Sequence, residues 1–296
     1  MNDVLTIKNL SKSYGRIKAL DNLNLTIEKG NIYGLLGPNG SGKTTTLAII
    51  LSILKADSGT FEWFEGKYGN NPRKHIGAIL ETPNFYPYKS GTDNLRIIAA
   101  IKDVKDFNFD EVMKLVNLEH RKDSKFRTYS LGMKQRLAIA ATMIGNPEVV
   151  IFDEPTNGLD PQGIAEVREI LKRVAESGRT VLMASHILDE VEKICSHVAI
   201  IKKGKLLSSG LVGELLSNDY LIEINSTDQE KLAQLANEME FIKKIQKQND
   251  FWIWTIDNSI PSQIISKMLY DKGLTLTHFL VRKQKLEEEF LEITKK

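Results

Sequence analysis

The 296-residue chain has one cysteine, Cys195, so no disulfide can form within it. Its setting, EKICSHVAII, is that of a small buried residue and not of a reactive thiol, and a cytoplasmic location is expected. No segment approaches the ~20 consecutive apolar residues that cross a bilayer. MNDVLTIKNL lacks a basic stretch followed by an apolar block, so any membrane role is expected to run through a partner, peripheral to the inner face of the membrane. An excess of charge is missing too: 40 Lys and Arg stand against 38 Asp and Glu, a formal +2, and no nucleic-acid partner is expected. There is no low-complexity tract and no internal repeat. The remaining composition suits one full core and a second, smaller domain.

The opening residues alternate as strands, VLTIKNLSKSY and LNLTIEKG, around the turn YGRIKALDN. After NIYGLLG the spacing changes to that of a helix in KTTTLAIILSILKA. Residues 60–80 read as short strands around WFEGKYGNNP, and residues 92–120 and 131–144 as helices, so the middle of the chain is a helical insert. EVVIFDEP and RTVLMASH are apolar runs of the kind found in parallel strands buried on both faces, and PQGIAEVREILKRVAESG between them is a crossover helix. That pattern is α/β with a parallel sheet. Past residue 218 the order becomes βαββαβ, the split βαβ plan of a ferredoxin-like α+β domain, followed by a last short helix in KLEEEFLEITKK.

GPNGSGKT, Gly37 to Thr44, fits G-x-x-x-x-G-K-[ST] between an apolar strand and an amphipathic helix. Glycines let the backbone turn N–H groups around an anion, and the helix N-terminus adds partial positive charge at the same point. The loop residues Gly37, Pro38, Asn39, Gly40, Ser41, Gly42, Lys43, Thr44 and Thr45 are therefore read as a nucleotide phosphate site, with Lys43 on the terminal phosphates and the Thr44 hydroxyl on Mg²⁺. VVIFDEP ends a buried strand with Asp153 and Glu154. Strand alternation is expected to send them apart, Asp153 to Mg²⁺ and Glu154 to the attacking water. His186 ends the next apolar strand, at the edge where parallel sheets place ligand-binding residues.

These residues, with YSLGMKQR at 129–136 and the intervening NGLD, resemble the nucleotide-binding subunits of ABC transporters, over about residues 4–218. The family signature commonly reads LSGGQ. Here Tyr129 replaces Leu, Leu131 the first Gly and Met133 the Gln, a variant similar to those of bacitracin- and lantibiotic-type exporters. The resemblance implies a phosphate-loop ATPase with a mixed, largely parallel sheet, an antiparallel β subdomain and a helical insert at about 85–145, in a cassette spanning 1–218. Residues 219–296 are then an accessory domain, either a dimer-stabilising cap or a regulatory domain.

By the same resemblance Ser130, Leu131, Gly132 and Met133 complete the ATP site of a second cassette, Asp160 communicates across that dimer, and His186 is the switch histidine. Tyr14 stacks on adenine or is an ordinary turn aromatic. Glu81 stands where most members have Gln near Mg²⁺, a change that strengthens metal contact or slows hydrolysis. Phe85, Tyr86, Pro87 and Tyr88 are either core of the insert or a dock for a membrane subunit.

The function implied is ATP hydrolysis by a cassette dimer, a homodimer in the simplest case, that powers a separate integral membrane permease for export, of a peptide, antibiotic or lipid. A soluble ABC ATPase acting on ribosomes or nucleic acid is the alternative; it lacks support in a chain with one cassette and no long heptad insertion. A small-molecule kinase using the same loop leaves YSLGMKQR and NGLD unexplained.

Overall fold

The computed structural model describes residues 3–80, 83–215, 220–248, 250–256 and 260–283. It divides into two compact units, Met1–Val212 and Gly213–Lys296, whereas the change in sequence pattern falls at 218/219. The first unit contains strands β1 (Asp3–Tyr14), β2 (Ile17–Glu28), β3 (Ile32–Leu36), β4 (Ser58–Trp63), β5 (Ile76–Ile79), β6 (Val149–Asp153), β7 (Thr180–Ser185), β8 (His197–Lys202) and β9 (Lys205–Leu211). Its helices are α1 (Lys43–Ile50), α2 (Gly91–Ile101), α3 (Phe109–Leu115), α4 (Leu131–Thr142), α5 (Pro161–Glu176) and α6 (Leu188–Ile194), and the single turn α7 (Val212–Leu215) begins at the unit's last residue.

The central sheet runs β5-β6-β7-β3-β8-β9, parallel except for β9, and a second, antiparallel sheet runs β2-β1-β4. Every residue of β6 and β7 is buried, as continuous apolar strands covered on both faces must be, and one face shares its core with α1 and the antiparallel sheet. Register sets the site: Leu36 lies opposite Ser185, and Asp153 opposite Ala184, so β3, β6 and β7 end together. The chain segments leaving them, at Gly37, Glu154 and His186, emerge along one carboxyl edge.

The helical insert departs from the expected continuous helix over 92–120. Helix α2 stops at Ile101, Asp103 takes a left-handed φ of 55°, and α3 begins after Asn108, whose side chain accepts from the Glu111 N–H. Short polar side chains in DVKDFN compete for backbone groups and favour caps over a continuing helix. Within WFEGKYGNNP only Trp63 belongs to a strand; Phe64 and Glu65 adopt left-handed φ and turn the chain.

The second unit contains β10 (Tyr220–Ser226), α8 (Gln229–Glu238), β11 (Ile242–Gln248), β12 (Phe251–Ile256), α9 (Ser262–Asp271) and β13 (Leu276–Lys283). Its antiparallel sheet has the order β11-β12-β10-β13, the split βαβ arrangement. The core gathers on Trp254, with Ile222, Ile224, Leu232, Ile265 and Leu269, all fully buried. The last helix expected in KLEEEFLEITKK lies outside the described residues. Among the described residues no helix is long and apolar enough to cross a membrane.

Candidate active site

The phosphate loop leaves β3 in a space too tight for any side chain at its first position. A Cβ on Gly37 would lie 2.3 Å from the Ile201 carbonyl oxygen and 2.5 Å from Ser41 Oγ. Gly42, with φ +110°, turns the chain into α1, and a Cβ there would lie 2.5 Å from the Ala19 carbonyl oxygen. The loop is thus pressed onto the backbone of its neighbours on one side, while Pro38, Asn39 and Gly40 face outward. Ser41 is 2% exposed, and its hydroxyl has no hydrogen-bond partner among the described residues. A buried orphan hydroxyl beside the unpaired N–H groups of a helix start suits an anion with several acceptor oxygens. The Lys43 ammonium, also buried, donates to the Gly37 carbonyl oxygen at 2.7 Å and the Pro38 carbonyl oxygen at 3.4 Å. Thr45 is half-buried in the first turn of α1.

Across the sheet, Thr44 Oγ1 donates to Asp153 Oδ2 at 2.7 Å. Asp153 is the last residue of β6, and Glu154 follows it in the left-handed region at φ 49°. The two carboxylates diverge for that reason and not, as strand alternation suggested, because Glu154 continues the strand. A non-glycine residue held there costs about 1–3 kcal/mol, and such strain clusters at sites where direction matters. Glu154 Oε2 lies 2.9 Å from His186 Nδ1, and Oε1 lies 3.6 Å from Lys43 Nζ. One carboxylate therefore meets both the phosphate-loop cation and the imidazole of the next strand end.

Among the described residues no group of three or more His, Cys, Asp or Glu gathers as a metal cage. Thr44 and Asp153 offer hard oxygen donors, the set Mg²⁺ uses when it keeps waters and substrate phosphates as its remaining ligands. Glu81, the third expected donor, lies outside the described residues.

The signature helix presents its tip to solvent. Ser130 caps α4, its Oγ accepting from the Met133 N–H at 3.3 Å, and Leu131 is 47% exposed. A Cβ on Gly132 would meet only Leu159 Cδ2, at 3.9 Å, so the backbone at the tip stays open. Among the described residues no hydrogen bond joins Ser130 to the phosphate loop of its own chain. Asp160 caps α5, one oxygen accepting from the Gly163 N–H at 2.8 Å. Tyr14, at the end of β1, is 46% exposed with the Lys12 ammonium 5.8 Å from its ring centre. The aromatic run divides: Phe85 packs edge-on against Phe126 with centroids 5.1 Å apart, while Tyr86 and Tyr88 are exposed.

Sequence reasoning kept Arg136 only as a retained signature residue, without its contacts, and missed Glu190 and Thr156. Arg136 anchors the signature helix, with Glu166 of α5 at 3.4 Å and a hydrogen bond of 3.1 Å to the Asn117 carbonyl oxygen. Glu190 of α6 is buried and accepts a hydrogen bond from Thr156 Oγ1. Burial pushes its carboxyl above the usual range, against the Thr156 bond. A Glu on the Val191–Ile194 side of α6 was the available signal, since that spacing marks a buried face.

Residues 20–157 match the family model described as ABC transporter. The chain is 36% identical over 299 residues to the bacitracin transport ATP-binding protein BcrA of Bacillus licheniformis, covering 99% of this chain and 98% of that protein. It is 38% identical over 227 residues to the lantibiotic transport ATP-binding protein SrtF of Streptococcus pyogenes, covering 74% of this chain and 99% of the other. Among solved structures, a dimeric ATP-binding cassette in a post-hydrolysis state, bound to ADP and Pi, superposes with a TM-score of 0.62 at 26% identity, covering 70% of this chain and 98% of that one.

Proposed function

The chain belongs to the ABC transporter ATP-binding proteins, ATP-hydrolysing subunits, and from that premise we propose that it works as a pair of cassettes driving a separate membrane permease in export. The observation that carries the reading is the convergence on Glu154, with His186 at 2.9 Å and Lys43 at 3.6 Å, beside the Thr44–Asp153 pair.

ATP phosphates lie in the loop from Gly37 to Thr45, with Tyr14 against adenine. Lys43 directs its ammonium to the terminal phosphate oxygens and offsets charge that develops there. Glu154 takes a proton from the attacking water, and His186 holds that carboxylate and the γ-phosphate in line. Thr44 and Asp153, with Glu81 as a further donor, would hold Mg²⁺, which when bound would neutralise phosphate charge. Ser130 and Gly132 of a second copy, at an exposed helix start where anions are favoured, close the site from the opposite side. Asp160 relays between the two copies. Tyr86 and Tyr88 supply the exposed aromatic surface for the permease. Export of a peptide, antibiotic or lipid is the direction and cargo class assigned, with the bacitracin and lantibiotic transport relatives as its support.

Replacing Glu154 by Gln tests this. ATP binding persists, turnover falls by on the order of a hundredfold or more, and a dimer accumulates with ATP. Unchanged turnover rejects Glu154 as the base. Purification from membranes with a polytopic protein attached checks the permease, and a preparation carrying ribosomes instead overturns it.

A further inference from the structure

We propose that Glu190 and Thr156 form a buried positioning pair that holds the Glu154 segment against α6, fixing the water-activating carboxylate by a second tie behind the His186 contact. This inference rests on the reading of Glu154 as the base.

Two strand ends meet at the site, and two side-chain contacts cross between the segments that leave them. One is the Glu154–His186 contact, where His186 is 37% exposed. The other lies deeper: Thr156 Oγ1 donates to Glu190 Oε2, with both residues 2% exposed. Thr156 follows Glu154 by two positions, and Glu190 lies in the first turn of α6, which begins two residues after His186. Between them, the Asn157 N–H donates to the Glu154 carbonyl oxygen at 3.1 Å and the Leu159 N–H to the Thr156 carbonyl oxygen at 3.2 Å. A tie at Thr156 therefore acts on the turn that holds Glu154 in its left-handed backbone and leads on to the Asp160 cap.

Helix α6 is a firm anchor for such a tie. It packs so closely on β3 that a Cβ on Gly34 would lie 2.6 Å from Val191 Cγ1. Packing alone gives no reason for a carboxylate at residue 190. Burying one costs several kcal/mol unless it is well partnered, and an apolar side chain would fill the same space. Glu190 Oε1 has no hydrogen-bond partner among the described residues, so the acid is kept there in spite of an unmet polar group. Burial raises its carboxyl, with Glu154, Arg168 and His186 as the other charged groups acting on it. A carboxyl that accepts the threonine hydroxyl needs only an acceptor oxygen, which a glutamine amide also supplies.

The test uses the purified full-length chain, with kcat and KM for ATP read by phosphate release and folding checked by melting temperature. Thr156→Val removes the hydroxyl at nearly constant volume, and Glu190→Ala removes the acceptor. Each is expected to lower kcat by about tenfold while KM stays within about twofold, the pattern of lost positioning and not of lost binding. Glu190→Gln is expected to recover kcat to within about threefold of wild type, and Thr156→Val with Glu190→Ala to cost no more than either alone. If Glu190→Ala does not fold, Thr156→Val and Glu190→Gln decide the outcome. A folded Thr156→Val chain with wild-type kcat, beside an inactive Glu154→Gln chain, overturns the pair alone. A Glu154→Gln chain with wild-type turnover overturns the base assignment and the pair with it.

Discussion

The two units differ most in what they bury. The first encloses Lys43, Asp153 and Glu190, with Ser41, Gln135 and Asn94, among its buried residues. The second, among its described residues, encloses one polar side chain, Ser226, whose hydroxyl accepts from the Asp228 N–H at 3.0 Å within its own turn. Its core otherwise gathers apolar side chains around Trp254, whose indole N–H has no hydrogen-bond partner among the described residues. Buried charge carries a desolvation cost, and it is tolerated where chemistry requires it. The second unit buries no charged side chain among its described residues, whereas the first keeps buried charges that weaken it. The SrtF relative is matched over 99% of its own length by only 74% of this chain.

The largest expected effect on nucleotide binding comes from Lys43→Ala. ATP affinity falls tenfold or more, about 1.4 kcal/mol at the least, as measured by fluorescent nucleotide titration; unchanged affinity would remove the phosphate loop from the cassette's account. Trp254→Ala probes the other side. It lowers the stability of the accessory unit by about 3–5 kcal/mol, and kcat moves by less than about twofold. Denaturant unfolding followed at each unit shows whether the loss stays local, and a collapse of ATP binding would erase the division of labour. Ser130→Ala takes about 1 kcal/mol from the start of α4 and also weakens ATP-dependent dimer formation, which ultracentrifugation reads; dimerisation at full strength removes Ser130 from the partner's site.

The smallest effect is in acid. The Tyr68 hydroxyl first, and then Lys29, hold the Glu148 carboxyl below its usual range. Its contribution is complete above the unfolded value of about 4.3 and is lost as pH falls through the lower folded value. Glu148→Gln should flatten the acid limb of the cassette's stability curve and leave that of the accessory unit unchanged.

Local chemistry was legible in the chain and tertiary contact was not. GPNGSGKT and VVIFDEP sit where a strand turns into a loop, so spacing and apolar runs alone placed Gly37, Lys43, Asp153 and Glu154 on one sheet edge. The order of the last six elements was also readable, because each carries its own period. The approach of Lys43 to Glu154 and the Glu190–Thr156 bond join residues far apart in the sequence, and no periodicity encodes them. The break after Ile101 and the strand end at Asp153 escaped for a related reason: each depends on one residue taking a left-handed φ, which a hydrophobic pattern does not register.

That backbone angle at Glu154 has a consequence for how the protein tolerates change. Alanine ordinarily outranks glycine in folded chains by up to about 1 kcal/mol, yet here the order should reverse, with Glu154→Gly melting above Glu154→Ala because only glycine rests easily at φ 49°. With Glu154 as the proposed base, random drift toward a sturdier protein would run downhill through this position into a dead enzyme, and selection for hydrolysis would keep the glutamate there.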